Sequence, residues 1–266
     1  MVGESVPVTT GVIRAQRRSL LMWSVALAGV SALYIGIYPA MGGGEEMAAL
    51  VESLPEAMVT AFGYDQIGTP GGWLTSTVYG LLGPVLLLVF AIGTGARLIA
   101  GQEEDGTLEL ELASPVGRRR ILGERMAALW LDIALLVAVI TAVAYLLVEM
   151  LDMEVGLVEI LAGSTGMLLL VVGFGTIALA VGAVTGRRAV ALGTAAGLAV
   201  VSFVFDAIGP TIEAGWMTAV SPFSWYLGES PLTNGFDFTG LGLLALVPLV
   251  AALIAFAAFD RRDLMV

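Results

Sequence analysis

The chain has 266 residues, is 58% hydrophobic and 13% charged, and carries a net charge of −11 at a mean hydropathy of +0.93. Soluble domains run near a quarter charged, so this composition points to residence in a membrane. There is no cysteine, no histidine and no lysine, which excludes disulfides, thiolate metal sites, the commonest general base and a P-loop, whose GxxxxGK[ST] needs its lysine on the phosphates.

A membrane span needs about 20 mostly apolar residues, and six segments qualify: 19–38, 73–100, 126–148, 164–185, 189–208 and 239–259. The expectation is an all-α membrane protein of six transmembrane helices, forming one transmembrane domain over residues 1–266. Ahead of span one, Thr9–Arg18 reads as a short basic helix at the inner surface. Tyr38-Pro39-Ala40 lacks an A-x-A cleavage pattern, so the first apolar run is kept as a span.

In the first outer loop, Met47, Leu50, Val51, Leu54, Met58 and Phe62 share a helical stripe, with Glu45, Glu52 and Glu56 opposite. Ser53 and Glu56 have capping-box spacing, which predicts two short helices lying in the outer interface. The first inner connector, 101–125, holds five acids between Glu103 and Glu111, then Arg118, Arg119, Arg120 and Arg125. Leu108 to Leu112 alternates with period two, as a strand would. Leucine and glutamate are good helix formers, however, and Thr107 or Asp105 can cap the start while Pro115 ends the run. A short amphipathic helix is the reading.

Small residues recur at four-residue spacing: Ala28, Ala32 and Gly36 in span one, Gly182 and Gly186 in span four, and Ala189, Gly193 and Gly197 in span five. They permit close helix contact, within the chain or against a second copy. The last outer loop, Gly209–Phe238, gathers Trp216, Phe223, Trp225, Tyr226, Phe236 and Phe238 among Pro210, Pro222 and Pro231. Aromatics at that density belong at headgroup level, in a shallow re-entrant or surface-lying pair of helices.

Orientation follows from arginine placement. With both termini cytoplasmic, Arg14, Arg17, Arg18, Arg97, Arg118, Arg119, Arg120, Arg125, Arg187, Arg188, Arg261 and Arg262 all fall on or near the inner side. The positive-inside rule is obeyed throughout. Of the 23 acids, thirteen fall outside, so the acidity belongs to the outer surface. Asp132, inside span three, is an ionisable group in the membrane and a candidate translocation residue. Asp206 stands near the outer end of span five.

The run E-x-x-G-T-L-E-x-x-L-A-S-P-V-x-R, from Glu103 to Arg118, resembles the inner-loop signature of type-2 permeases of ATP-binding-cassette (ABC) exporters. Ser221-Pro222-Phe223, Trp225-Tyr226 and the tail from Phe259 to Leu264 are similar too, so the resemblance covers essentially the whole chain. It implies that Thr107–Ser114 is a coupling helix that docks into a separate ATPase subunit. On that basis Glu103, Glu104, Gly106, Thr107, Leu108, Glu109, Leu110 and Pro115 carry ATPase coupling, and Arg118, Arg119 and Arg120 contact the ATPase or anionic lipid. The chain departs from the commonest pattern at Glu111, where many relatives have leucine.

The resemblance also implies an export function for a drug, antibiotic or lipid across the plasma membrane. ATP and Mg²⁺ are expected on the ATPase partner and no cofactor on this chain. A second permease copy or paralogue is expected against spans one and five, with no nucleic-acid partner. No catalytic residue and no metal-ligand set is assigned. The competing reading is an ion- or proton-coupled secondary transporter using Asp132 and Asp206, although no internal repeat and no broken span supports it.

Overall fold

Backbone polar groups have no water to bond in hydrocarbon, so a spanning segment must satisfy them within itself, which favours helices. The computed structural model describes residues 6–40, 51–52, 55, 59, 67–106 and 117–261. Six of its helices are long and apolar enough to cross a membrane, and among the described residues there is no strand. They are α1 (Val6–Ile37), α2 (Pro70–Glu104), α3 (Arg118–Met150), α4 (Leu157–Thr185), α5 (Arg188–Ile208) and α9 (Phe238–Arg261). Three short helices lie between the last two: α6 (Gly215–Val220), α7 (Pro222–Leu227) and α8 (Pro231–Asn234).

Helix α4 is the hub. Its most apolar stretch is 72% buried, against 17% for α1 and α5, and it packs against α2, α3, α5 and α9. Glycines let the backbones approach. A Cβ at Gly95 of α2 would overlap the Gly175 carbonyl of α4, and one at Gly175 would meet the Ala91 Cβ at 3.2 Å. Helix α1 lies along α3 and is fixed to α2 at one end, where the Trp73 Nε1–H donates to the Tyr34 carbonyl at 3.0 Å.

Several boundaries differ from the hydropathy reading. Helix α1 is continuous from Val6, so Thr9–Arg18 forms its first turns and is not a separate surface helix. Helix α3 begins at Arg118, with Gly117 in an extended N-cap conformation, so the arginine triplet and Arg125 are on the helix and not in the connector. Arginine is a good helix former, and the Arg120–Glu124 ion pair at 2.7 Å reinforces the first turns. Hydropathy registers the apolar length; the helix itself continues until its cap.

Helix α2 is not uniform. It is π-helical over Thr75–Leu82 and again over Arg97–Gly101, with an ordinary α-helical stretch, Gly83–Ala96, between. Extra-wide turns of this kind concentrate at functional sites. The last loop also departs from the expected pair, forming three short helices seated in the bundle end. Phe223, Tyr226 and Leu232 are buried there. Span four makes room with glycines: a Cβ at Gly166 would meet the Tyr226 ring at 2.7 Å, and one at Gly163 would meet Leu232 at 3.0 Å. In the first outer loop, Val51 is helical and half-buried, while Met47, Leu50, Ser53, Leu54, Glu56, Met58 and Phe62 lie outside the described residues.

Candidate coupling site and transmembrane groove

The connector follows the shorter of the two π segments, Arg97–Gly101. The helix ends at Glu104 and the chain turns at Gly106, whose φ of +66° is left-handed and favours glycine; a Cβ there would meet nothing within 4 Å, so conformation and not crowding requires it. The Asp105 and Gly106 amides donate back to Gly101 and Glu103 at 3.0 and 3.1 Å. Thr107, Leu108, Glu109, Leu110 and Pro115 lie outside the described residues.

Two bonds fasten this root of the connector to other spans. The Arg188 backbone N–H donates to Glu104 Oε1 at 2.9 Å. Arg188 is the first residue of α5 and its N-cap, Arg187, supplies no side-chain cap, so Glu104 satisfies an orphan amide and places an anion at the positive end of the helix. The Arg125 guanidinium donates to the Leu98 carbonyl at 2.6 Å, inside the π segment. Arg125 is only 9% exposed, buried between α2 and α3.

The turn between α4 and α5 completes the cluster. Gly186 closes α4 in a left-handed conformation, φ 63°, with its amide on the Gly182 carbonyl at 2.8 Å. Gly182 faces Ala100 and Ala191, so this small-residue pair serves a helix end and close packing within the chain. Gly36, Gly193 and Gly197 meet nothing within 4 Å, and those positions on spans one and five are open.

The predicted site residues therefore divide. Glu104 is engaged with α5, and Glu103 is half-buried beside it on the same turn. Arg118 is half-buried, and Arg119 and Arg120 are exposed on the first turn of α3. Asp132 is half-buried on α3 toward the arginine-bearing end, whereas Asp206 sits near the opposite end of α5, accepting from Ser224 Oγ at 2.6 Å. The two aspartates are not brought together.

A second feature lies within the bundle. Helices α2 and α5 line an apolar groove of about 400 Å³, with Gly80, Val85, Val89, Ala196, Val200 and Phe223 among its walls. Its lining is almost wholly hydrocarbon, suited to an acyl chain or an apolar scaffold and not to an ion. Above it runs a hydroxyl chain. Tyr226 OH donates to the Tyr79 carbonyl at 2.9 Å, Tyr79 OH shares a hydrogen bond of 3.0 Å with Ser164, and Thr141 donates to Ser164 at 2.8 Å.

The sequence reading missed Arg125 as a bonding residue, Arg188 as the partner of Glu104, and the Tyr226–Tyr79 link. The nearest signal was Pro84 following Gly80 and Gly83, which marks an irregular helix but not its partner. A search of the curated proteins finds no match to the chain. A family model described as ABC-2 family transporter protein matches residues 13–264, nearly the full length. The chain, with its six spanning helices and its charged connector rooted in spans two, three and five, belongs to the ABC-2 family of transporter membrane proteins.

Proposed function

We propose that this permease subunit works in an exporter at the plasma membrane, as a dimer with two separate ATPase subunits that hold ATP and Mg²⁺. Its arginine-bearing end faces the cytoplasm. Residues Glu103 to Pro115 engage the ATPase, and Arg118, Arg119 and Arg120 lie against the ATPase or anionic headgroups. The second copy packs against the open faces of spans one and five, where Gly36, Gly193 and Gly197 leave room for close helix contact. The apolar groove between α2 and α5 suits a lipid or an amphipathic drug or antibiotic.

The observation that supports coupling most directly is the pair of bonds at the connector root. A force applied to the connector reaches α5 through Glu104 and α3 through Arg125 and Leu98. ATP-driven closure of the partners would then shift the permease between access states. The test is Glu104→Ala in the complex of the permease with its ATPase partner. Losing an anion at a helix N-terminus costs about 0.3–1 kcal/mol, too little to unfold the permease. Coupling free energies of about 1–3 kcal/mol predict at least a roughly fivefold fall in substrate-stimulated ATP turnover. Unchanged turnover and unchanged co-purification would overturn the assignment.

Orientation has its own test. Because the chain contains no cysteine, single cysteines report cleanly. Asn234→Cys is expected to label with an impermeant reagent in intact cells, and Gly117→Cys only after permeabilisation. Labelling of position 117 in intact cells would invert the topology.

A further inference from the structure

The apolar groove between α2 and α5 runs, at its connector end, into two arginines. On α2 the wall residues Val85, Val89 and Gly93 follow at four-residue spacing, and Arg97 is the next step of that row. On α5 the row Val200, Ala196 and Leu192 leads in the same way to Arg188. Residues four apart share a helix face, so each row ends in an arginine on the face that lines the groove. The two stems also meet. A Cβ at Gly101 would stand 3.0 Å from Arg97 Cγ and 3.5 Å from Arg188 Cδ, so both side chains pass the same point on α2.

Charge decides what this end can hold. Both arginines are exposed, and among the described residues neither guanidinium has a carboxylate partner. Glu104 is engaged by the Arg188 backbone amide, at 2.9 Å, and Arg125 already donates to the Leu98 carbonyl. Orientation alone asks only that arginines lie on the inner side; it does not ask that two of them converge on one groove. From Gly80 to Gly93 the groove extends roughly 20 Å at about 1.5 Å per residue, over half of a hydrocarbon core about 30 Å thick. Val89 and Val200 on its walls are 60% and 62% exposed, so it opens sideways to the bilayer. Gly193 and Gly197, assigned above to the second copy, lie one position on from Leu192 and Ala196, about 100° around α5. The groove row is left to a different occupant.

We propose that this occupant is an anionic lipid of the inner leaflet, its headgroup between Arg97 and Arg188 and an acyl chain along the groove. The inference names the substrate class of the transport site proposed above, and rests on that reading and its orientation. Two arginines sort headgroups by charge. A phosphodiester of net negative charge gains from both, a zwitterionic head brings an opposing cation, and a cationic amphiphile is repelled. Arginine also suits phosphate by geometry, since its planar donors bond two oxygens at once. Each arginine beside an acidic headgroup favours it about fivefold, and the pair about thirtyfold. The headgroup site borders the connector root, where Glu104 holds the N-terminus of α5.

The experiment uses the permease alone in phosphatidylcholine nanodiscs, with trace phospholipids that carry a photoreactive diazirine on the acyl chain. Phosphatidylglycerol and phosphatidylcholine probes of the same chain are compared, and mass spectrometry locates the crosslinks. The phosphatidylglycerol probe is expected to label 85–93 and 192–200 roughly thirtyfold more than its zwitterionic counterpart. Arg97→Gln combined with Arg188→Gln is expected to abolish that preference, and each alone to lower it about fivefold. Both side chains are exposed and the Arg188 amide is retained, so the fold does not depend on them. Arg17→Gln combined with Arg18→Gln removes as much charge from exposed positions on α1 and is expected to keep the preference. Equal labelling by the two probes overturns the inference, as does a preference that survives the groove double variant or falls equally in the α1 variant. Neither ATP nor the ATPase enters the measurement. A permease that binds anionic lipid without exporting it refutes the transport reading and leaves this site standing; export by a permease whose groove ignores headgroup charge does the reverse.

Discussion

Gly166→Leu is expected to destabilise the permease by about 3 kcal/mol and to release the α7–α8 hairpin from the bundle end. Overpacking a close-packed site costs about 1–3 kcal/mol and sometimes more. Here a bare Cβ would already lie 2.7 Å from the Tyr226 ring, which is buried on the other side against α2. The ring has nowhere to go, and moving it also breaks the 2.9 Å bond to the Tyr79 carbonyl. Reversible unfolding in mixed micelles measures the loss. Gly193→Leu is the comparison: a Cβ there meets nothing within 4 Å, so the monomer's stability should change by less than about 0.5 kcal/mol. Equal losses for the two would show that the Gly166 notch is not a packing constraint.

Arg125→Met carries the second large effect. Methionine retains much of the buried stem but cannot donate to the Leu98 carbonyl, which loses that bond in a low-dielectric site. Leaving a buried acceptor unsatisfied costs about 1–3 kcal/mol, and the lost bond is short, 2.6 Å. The same unfolding assay should show a loss of about 2 kcal/mol. Arg119→Met, at an exposed position on the same helix, should stay within about 0.5 kcal/mol. The contrast separates a buried bonding arginine from arginines that serve only at the surface. If both variants behave alike, the Arg125 bond contributes nothing.

The six spans were legible because apolar length is a local property. The family was legible for a similar reason: Glu103 to Arg118 is one continuous run whose residue types and spacing can be read without knowing the fold. What the sequence hid depends on distance along the chain. Glu104 could be placed at the root of the connector, but its bond to Arg188 crosses 84 residues. Tyr226 read as an interfacial aromatic, and its link to Tyr79 crosses 147. The start of α3 at Arg118 was missed because charged residues end a hydropathy window without ending a helix. Gly182 and Gly186 looked like a contact stripe, yet Gly186 is a left-handed cap, a role that spacing alone does not distinguish. The π turns left only one trace, Pro84 behind two glycines.

The two-residue turn at Gly186 gives the α4–α5 pair a fulcrum. Helix α4 is wedged among four neighbours while α5 is mostly exposed, so any tilt of α5 would pivot on that turn, and Glu104 grips it right beside the pivot. Displacement along a lever grows with distance from its fulcrum, so the largest excursion falls at the far end of the arm. There Ser221 donates to the Ser202 carbonyl at 2.7 Å and Ser224 to Asp206 at 2.6 Å. Those two bonds join the arm to the segment that carries Tyr226, so a small stroke beside Gly186 arrives as leverage on the side chain that bonds the Tyr79 carbonyl of span two.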